Sequence, residues 1–122
     1  MKIFVFGSRA ISVLPDNILA VLDYYINECS QILVGNSNGA DEAIKSYVNQ
    51  TGRQDKMFVC GEHYSEIRGQ CDLAIAIWDG KSSGVQANIK KLKALGKKVI
   101  CININDTSGN ISVPITESKF YV

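Results

Sequence analysis

The chain has 122 residues, 46% of them hydrophobic and 20% charged, which suits one domain with enough length to close a core and excludes disorder as its overall state. The 13 basic and 12 acidic residues leave a formal net charge of +1, so no global field draws the chain to DNA or to an anionic membrane, and any charge argument is local. No apolar run approaches a membrane span, and Met1-Lys2 leads directly into a strand-like segment rather than a signal peptide, so the expected location is the cytoplasm.

A first strand is expected over Ile3–Phe6, running into Gly7-Ser8-Arg9. Ile18, Val21, Leu22, Tyr25, Ile26 and Cys29 follow helical spacing, with Pro15 near the start, where a missing N–H costs little. A second strand, Ile32–Val34, opens into GNSNGAD (35–41) and a helix carrying Ala40, Ala43, Ile44, Tyr47 and Val48. Asn38 is expected to cap that helix and Gly52 to end it. A third strand over Met57–Cys60 and a short irregular helix over His63–Gln70 follow, then a fourth strand over Leu73–Trp78. WDGKSSGVQAN (78–88) leads into a helix with Val85, Ile89, Leu92 and Leu95 on its stripe and Gly96 as its stop, before a fifth strand over Val99–Ile104. Asp106–Asn110 reads as a turn, and the last dozen residues as an edge strand or a cover over the sheet, so 105–122 is a C-terminal extension on a core of about 2–104.

Most of these strands are continuous in Val, Ile and Phe rather than alternating, the pattern of strands buried on both faces of a parallel sheet. Their alternation with helices predicts an α/β fold: a Rossmann-like, three-layer single domain with about five parallel strands in the order 3-2-1-4-5. Cys29, Cys60, Cys71 and Cys101 form no C-x-x-C pair, and His63 is not spaced with them as a zinc ligand. They read as reduced core residues, and no metal site is expected.

Glycines stand at the strand ends: Gly7 after the first strand, Gly35 and Gly39 after the second, Gly80 and Gly84 after the fourth. In a parallel sheet these turns share the carboxyl edge, where open α/β sheets bind ligands. The second and fourth turns also aim helix N-termini at that edge, favouring an anion, and glycine lets a phosphate approach the backbone. Ser82 and Ser83 add hydroxyl donors, and Arg9 a mobile cation. A glycine after a strand is structural in many α/β proteins, yet three such corners at one edge favour a phosphate-bearing ligand. No Gly-Lys-Ser/Thr and no spaced G-x-G-x-x-G is present, which disfavours ATP hydrolysis and ordinary nicotinamide dehydrogenase chemistry.

Gly7-Ser8-Arg9, Gly35-x-x-x-Gly39-Ala40-Asp41, Arg68 before the fourth strand, and Asp79-Gly80 with Ser83-Gly84 after it together resemble the SLOG superfamily, nearest its YspA/YpsA-like branch, over about residues 2–104. The resemblance implies a Rossmann-like sheet that binds nucleotides or nucleotide-derived ligands such as ADP-ribose, kinship with LOG-type phosphoribohydrolases, and self-association into a homodimer or larger homo-oligomer. In the phosphoribohydrolases a Gly-Gly-x-Gly-Thr-x-x-Glu motif fills the fourth-strand loop and its glutamate takes part in catalysis; here Val85 stands at the threonine position and Asn88 at the glutamate position. Asparagine is no carboxylate base, though it can hydrogen-bond a ribose hydroxyl.

The candidate ligand residues are therefore Gly7, Ser8, Arg9, Gly35, Asn36, Gly39, Asp41, Arg68, Asp79, Gly80, Ser82, Ser83, Gly84, Val85 and Asn88. Asp41 reads either as a helix N-terminal charge reaching back towards Asn38 or as a ribose ligand; Asp79 as a turn-former or a substitute carboxylate. Asp41 and Asp79 are the candidates for any catalytic role. Arg68 reads as an ion-pair partner or a phosphate clamp, Trp78 as core or as a stacking face, and His63 and Tyr64 as structural. Lys81, Lys90, Lys91, Lys93, Lys97 and Lys98 read as a solvated face, with Lys81 alone placed to touch a phosphate. The expected function is binding or sensing of a small nucleotide-type ligand, with no required cofactor and no membrane. The alternatives are an enzyme acting at an N-glycosidic bond and, disfavoured by the charge balance, a single-stranded nucleic-acid-binding module.

Overall fold

Continuous apolar strands and 3.6-period helices satisfy their patterns together only when helices cover both faces of a parallel sheet. The computed structural model, which describes residues 1–61 and 64–104, is built that way. Its elements in order are β1 (Lys2–Gly7), α1 (Asp16–Glu28), β2 (Gln31–Val34), α2 (Ala40–Gln50), a 3-10 turn (Gln54–Lys56), β3 (Met57–Val59), α3 (Tyr64–Gln70), β4 (Leu73–Trp78), α4 (Ser83–Ala94) and β5 (Lys98–Asn103). The strands make one five-stranded, all-parallel sheet in the order β3-β2-β1-β4-β5. His63, the turn expected at 106–110 and the rest of the extension 105–122 lie outside the described residues.

One face of the sheet presents Ile3, Val5, Ile32, Val34, Ile75 and Ile100 to the stripes of α1 and α2, which bury Ile18, Leu22, Ile26, Ile44 and Val48. The other face carries Phe4, Phe6, Leu33, Ala74, Ala76 and Val99 beneath Ile67 of α3 and Val85, Ile89 and Leu92 of α4. Register sets Phe4 beside Ala74 and Phe6 beside Ala76, so each ring lies over a small neighbour and this layer fills without a clash. No helix of the described residues is long and apolar enough to cross a membrane. The four cysteines are unbridged, with Cys29, Cys60 and Cys71 buried and Cys101 half-buried.

Glycine ends α2 as expected. Gly52 takes φ +73°, and the Gly52 N–H donates to the Asn49 carbonyl while the Arg53 N–H donates to that of Val48, closing the last turn. The start of α2 corrects the expected cap. Gly39, at φ +78°, occupies the cap position and no side chain caps the helix, so Asn38 does not fill that role. The main chain of Arg9 crosses there; a Cβ on Gly39 would lie 2.1 Å from the Arg9 carbonyl oxygen, which leaves room only for glycine. The edge strand β3 differs from the central strands. Phe58 and Val59 are 48% and 38% exposed, so β3 is not buried on both faces as the central strands are.

Candidate functional site

At the carboxyl edge, β1 leads to a helix on one face of the sheet and β4 to a helix on the other, so the chain parts between them and leaves a crevice. A cleft of about 770 Å³ occupies it. Gly7 and Arg9 line it from the end of β1 and the loop after it, Ser37 from the β2–α2 loop, Asp41 from the start of α2, and Arg68 from α3. The β4–α4 loop and the first turns of α4 complete it with Asp79, Ser82, Ser83, Gly84, Val85, Asn88 and Lys91.

Two close approaches build the α2 wall. A Cβ on Gly7 would meet Ala40 Cβ at 2.6 Å and the Ile77 carbonyl oxygen at 2.7 Å, so glycine here lets α2 begin hard against the sheet. Ser8, 1% exposed, then ties the elements together: its N–H donates to the Ile77 carbonyl (3.0 Å), its carbonyl accepts from the Ala40 N–H (3.1 Å) and its hydroxyl accepts from the Asp79 N–H (3.1 Å). Asp41 is delivered to the cleft by that packing. It is 2% exposed; Oδ2 accepts from the Ser37 N–H at 3.0 Å, and Oδ1 is buried with no hydrogen-bond partner among the described residues. Burial pushes its carboxyl above the usual carboxylate range, against the pull of the Ser37 and Gly7 N–H groups and of Lys45. The Gly7 N–H acts there as a nearby dipole and does not close a hydrogen bond of good geometry on Oδ1.

The α4 wall is stiff because its own polar groups are used internally. Asp79 Oδ1 accepts from the N–H groups of Lys81 and Ser82, both at 2.9 Å, and those two bonds hold its carboxyl below the usual range. The Trp78 indole N–H donates to the Ser82 carbonyl at 3.1 Å. Ser82 caps α4, its hydroxyl accepting from the Val85 N–H at 3.4 Å. The first-turn N–H groups of Ser83 and Gly84 are left over; among the described residues nothing accepts from them. Across from them, Arg68 Nη1 donates to Asn88 Oδ1 at 2.8 Å. This wall can hold an anion on two amides, a serine hydroxyl and a guanidinium, while Asp41 Oδ1 can accept from a ligand hydroxyl or amine.

The expected candidates divide on this geometry. Gly7, Arg9, Asp41, Arg68, Asp79, Ser82, Ser83, Gly84, Val85 and Asn88 line the cleft. Ser8 lies beneath it as a structural junction, and Gly39 serves the crossing of Arg9. Gly35 is buried at the end of β2, Asn36 Oδ1 accepts from Lys45 Nζ at 2.8 Å, and Gly80 supplies a φ of +83° to the turn; none of these three lines the cleft. Val85 contributes through its backbone, its side chain being 4% exposed in the core. Asp41 reaches back to the Ser37 N–H, not to Asn38. Among the described lysines it is Lys91 that lines the cleft, not Lys81. The sequence held that signal, because Gly84, Ala87, Asn88 and Lys91 stand at helical i, i+3, i+4 and i+7 spacing. No family model, no curated protein and no solved structure matches the chain, so the reading of this cleft rests on its own chemistry.

Proposed function

We propose that the chain binds a nucleotide or nucleotide-derived ligand, of the ADP-ribose, NAD or nucleoside-phosphate type, at the carboxyl edge of its sheet, and holds it without turnover. The observation that carries this reading is the buried, unpartnered Oδ1 of Asp41 in the same cleft as the open amides of Ser83 and Gly84. Leaving the buried Asp41 oxygen unsatisfied is costly, whereas the exposed amides of Ser83 and Gly84 are open to a guest at little cost; a phosphorylated sugar supplies phosphate oxygens for the amides and a hydroxyl donor for the carboxylate. Binding without chemistry is favoured because Asn88 is neutral and Asp79 is held by two main-chain donors and kept acidic, which makes it a weak base. A thermal-shift panel of ADP-ribose, NAD, nucleoside monophosphates and ribose 5-phosphate tests this, with chromatography of the ligand afterwards. A raised Tm with intact ligand is expected; no shift anywhere in the panel at millimolar ligand refutes the ligand class.

One observation favours a second reading, cleavage of an N-glycosidic bond. The Asp41 carboxyl has a raised pKa inside the cleft, the environment of a general acid or base. Free base released from a nucleoside monophosphate, and lost in Asp41→Asn, would establish it in place of simple binding.

A further inference from the structure

We propose that Asn88 is a positioning residue that sets the charge preference of the cleft: it orients Arg68 through a neutral acceptor and so keeps the whole guanidinium charge for a ligand phosphate. The inference rests on the ligand class proposed above and names the residue that tunes it. Arg68 stands on α3 and Asn88 on α4, both line the cleft, and a 2.8 Å hydrogen bond joins them. Arg53 shows what a structural arginine looks like in this same fold. Its Nη2 meets Asp23 at 2.6 Å, its Nη1 donates to Asn27 and its Nε to Thr51, so its donors and its charge are used within the protein. That is the ion pair among the described residues, and Arg68 takes part in none.

Among the described residues no ion pair joins Arg68 to Asp79 or Asp41: Asp79 Oδ1 accepts from two turn amides, and Asp41 Oδ2 from the Ser37 N–H. Among the described lining residues, Arg9, Arg68 and Lys91 against Asp41 and Asp79 leave a net charge of +1 when both acids are ionised, to which the α4 N-terminus adds its partial positive charge. A carboxylate at position 88 would chelate Arg68 through paired hydrogen bonds and bring that balance to zero. Asparagine keeps the geometry and omits the charge.

Calorimetric titration with ribose 5-phosphate at low and at physiological salt tests the proposal on the unsubstituted chain and on Asn88→Asp, Asn88→Leu and Arg68→Gln. Asn88→Asp is expected to weaken binding roughly tenfold to hundredfold and to flatten its salt dependence. Asn88→Leu, which removes the acceptor but adds no charge, is expected to lose about threefold to tenfold and to keep the salt dependence, because Arg68 stays charged but less well aimed. Arg68→Gln must reproduce the flattened salt dependence without touching Asn88, which keeps the test decisive if Asn88→Asp does not fold. Parent-like binding by folded Asn88→Asp, equal losses with equal salt dependence in the Asp and Leu variants, or an unflattened Arg68→Gln overturns the inference while leaving the ligand class standing. No binding of ribose 5-phosphate by the unsubstituted chain removes this inference, and silence across the wider panel removes the ligand class as well.

Discussion

Replacing Asp41 with asparagine should stabilise the empty protein and weaken its binding. The carboxylate is 2% exposed, with one hydrogen bond of 3.0 Å on Oδ2 and none on Oδ1. Burial raises its pKa above the usual 3.8, so the folded chain holds this proton more tightly than the unfolded chain does. The contribution of Asp41 therefore favours folding below about pH 4 and is lost as pH rises through the folded value, because above it an ionised oxygen sits desolvated and unpaired. Such an unsatisfied buried group costs about 1–3 kcal/mol. Asparagine preserves an acceptor for the Ser37 N–H and removes the charge, but leaves its own amide donor short of a partner, so a net gain of about 1 kcal/mol at pH 7 is expected, or about 3–5 °C in Tm for a chain of this size. Thermal melts of both proteins from pH 4 to pH 8 should show the gain at neutral pH, shrinking to nothing or reversing towards pH 4. In the same variant an N–H₂ group faces the position where a ligand hydroxyl donates, so ribose 5-phosphate should bind at least about tenfold more weakly. An asparagine variant less stable at pH 7, or a difference that does not change with pH, refutes the account of Asp41 as a desolvated acceptor.

Three further outcomes follow from the same geometry. Gly39→Ala should cost at least about 3 kcal/mol in urea unfolding, because a positive φ and a Cβ 2.1 Å from the Arg9 carbonyl add, whereas Gly52→Ala, with a similar φ but open space around it, should cost only about 1 kcal/mol. Thiol labelling of the native protein at pH 7 should modify Cys101 first and spare Cys60, whose thiol burial pushes up to about 11, leaving about one in ten thousand molecules as thiolate; prompt labelling of Cys60 contradicts this. Lys91→Ala should weaken ribose 5-phosphate binding about threefold to tenfold and reduce its salt dependence, while Lys81→Ala leaves both unchanged, as titration will show.

The fold was legible because its signals were redundant. The three central strands read as continuous apolar runs, α1, α2 and α4 repeated their stripes and the glycines marked the corners, and the observed order β3-β2-β1-β4-β5 is the expected one. The exposure of the edge strand is not legible in the sequence for a physical reason: Met57, Phe58 and Val59 are as apolar as any core strand, and a sequence does not say how far the helices extend over an outer strand. The site was half legible. Residue type and position picked out Asp41, Arg68 and the start of α4, but glycine alone does not distinguish a backbone cleared for a ligand from one cleared for another part of the chain. Gly39 belongs to the second kind, since the carbonyl it makes room for is that of Arg9.

The cleft is best understood through its hydrogen-bond bookkeeping. Several polar groups around the rim are used within the protein: Ser8 joins β1, β4 and α2, Asp79 fastens its own loop, Trp78 and Ser82 fix the entry to α4. Asp41 Oδ1 is a buried acceptor left over, a local cost that folding alone does not explain, and the exposed amides of Ser83 and Gly84 and the guanidinium of Arg68 stand around the same cavity. The arrangement has a direction, acceptors wanted on the α4 wall and a donor wanted on the α2 wall. A guest that is anionic at one end and hydroxylated at the other relieves both, and an inorganic anion relieves only one. Ribose 5-phosphate should therefore raise Tm more than inorganic phosphate at equal concentration, and the difference should vanish in Asp41→Asn. Equal shifts from the two in the unsubstituted protein would reduce the cleft to a phosphate site and take Asp41 out of it.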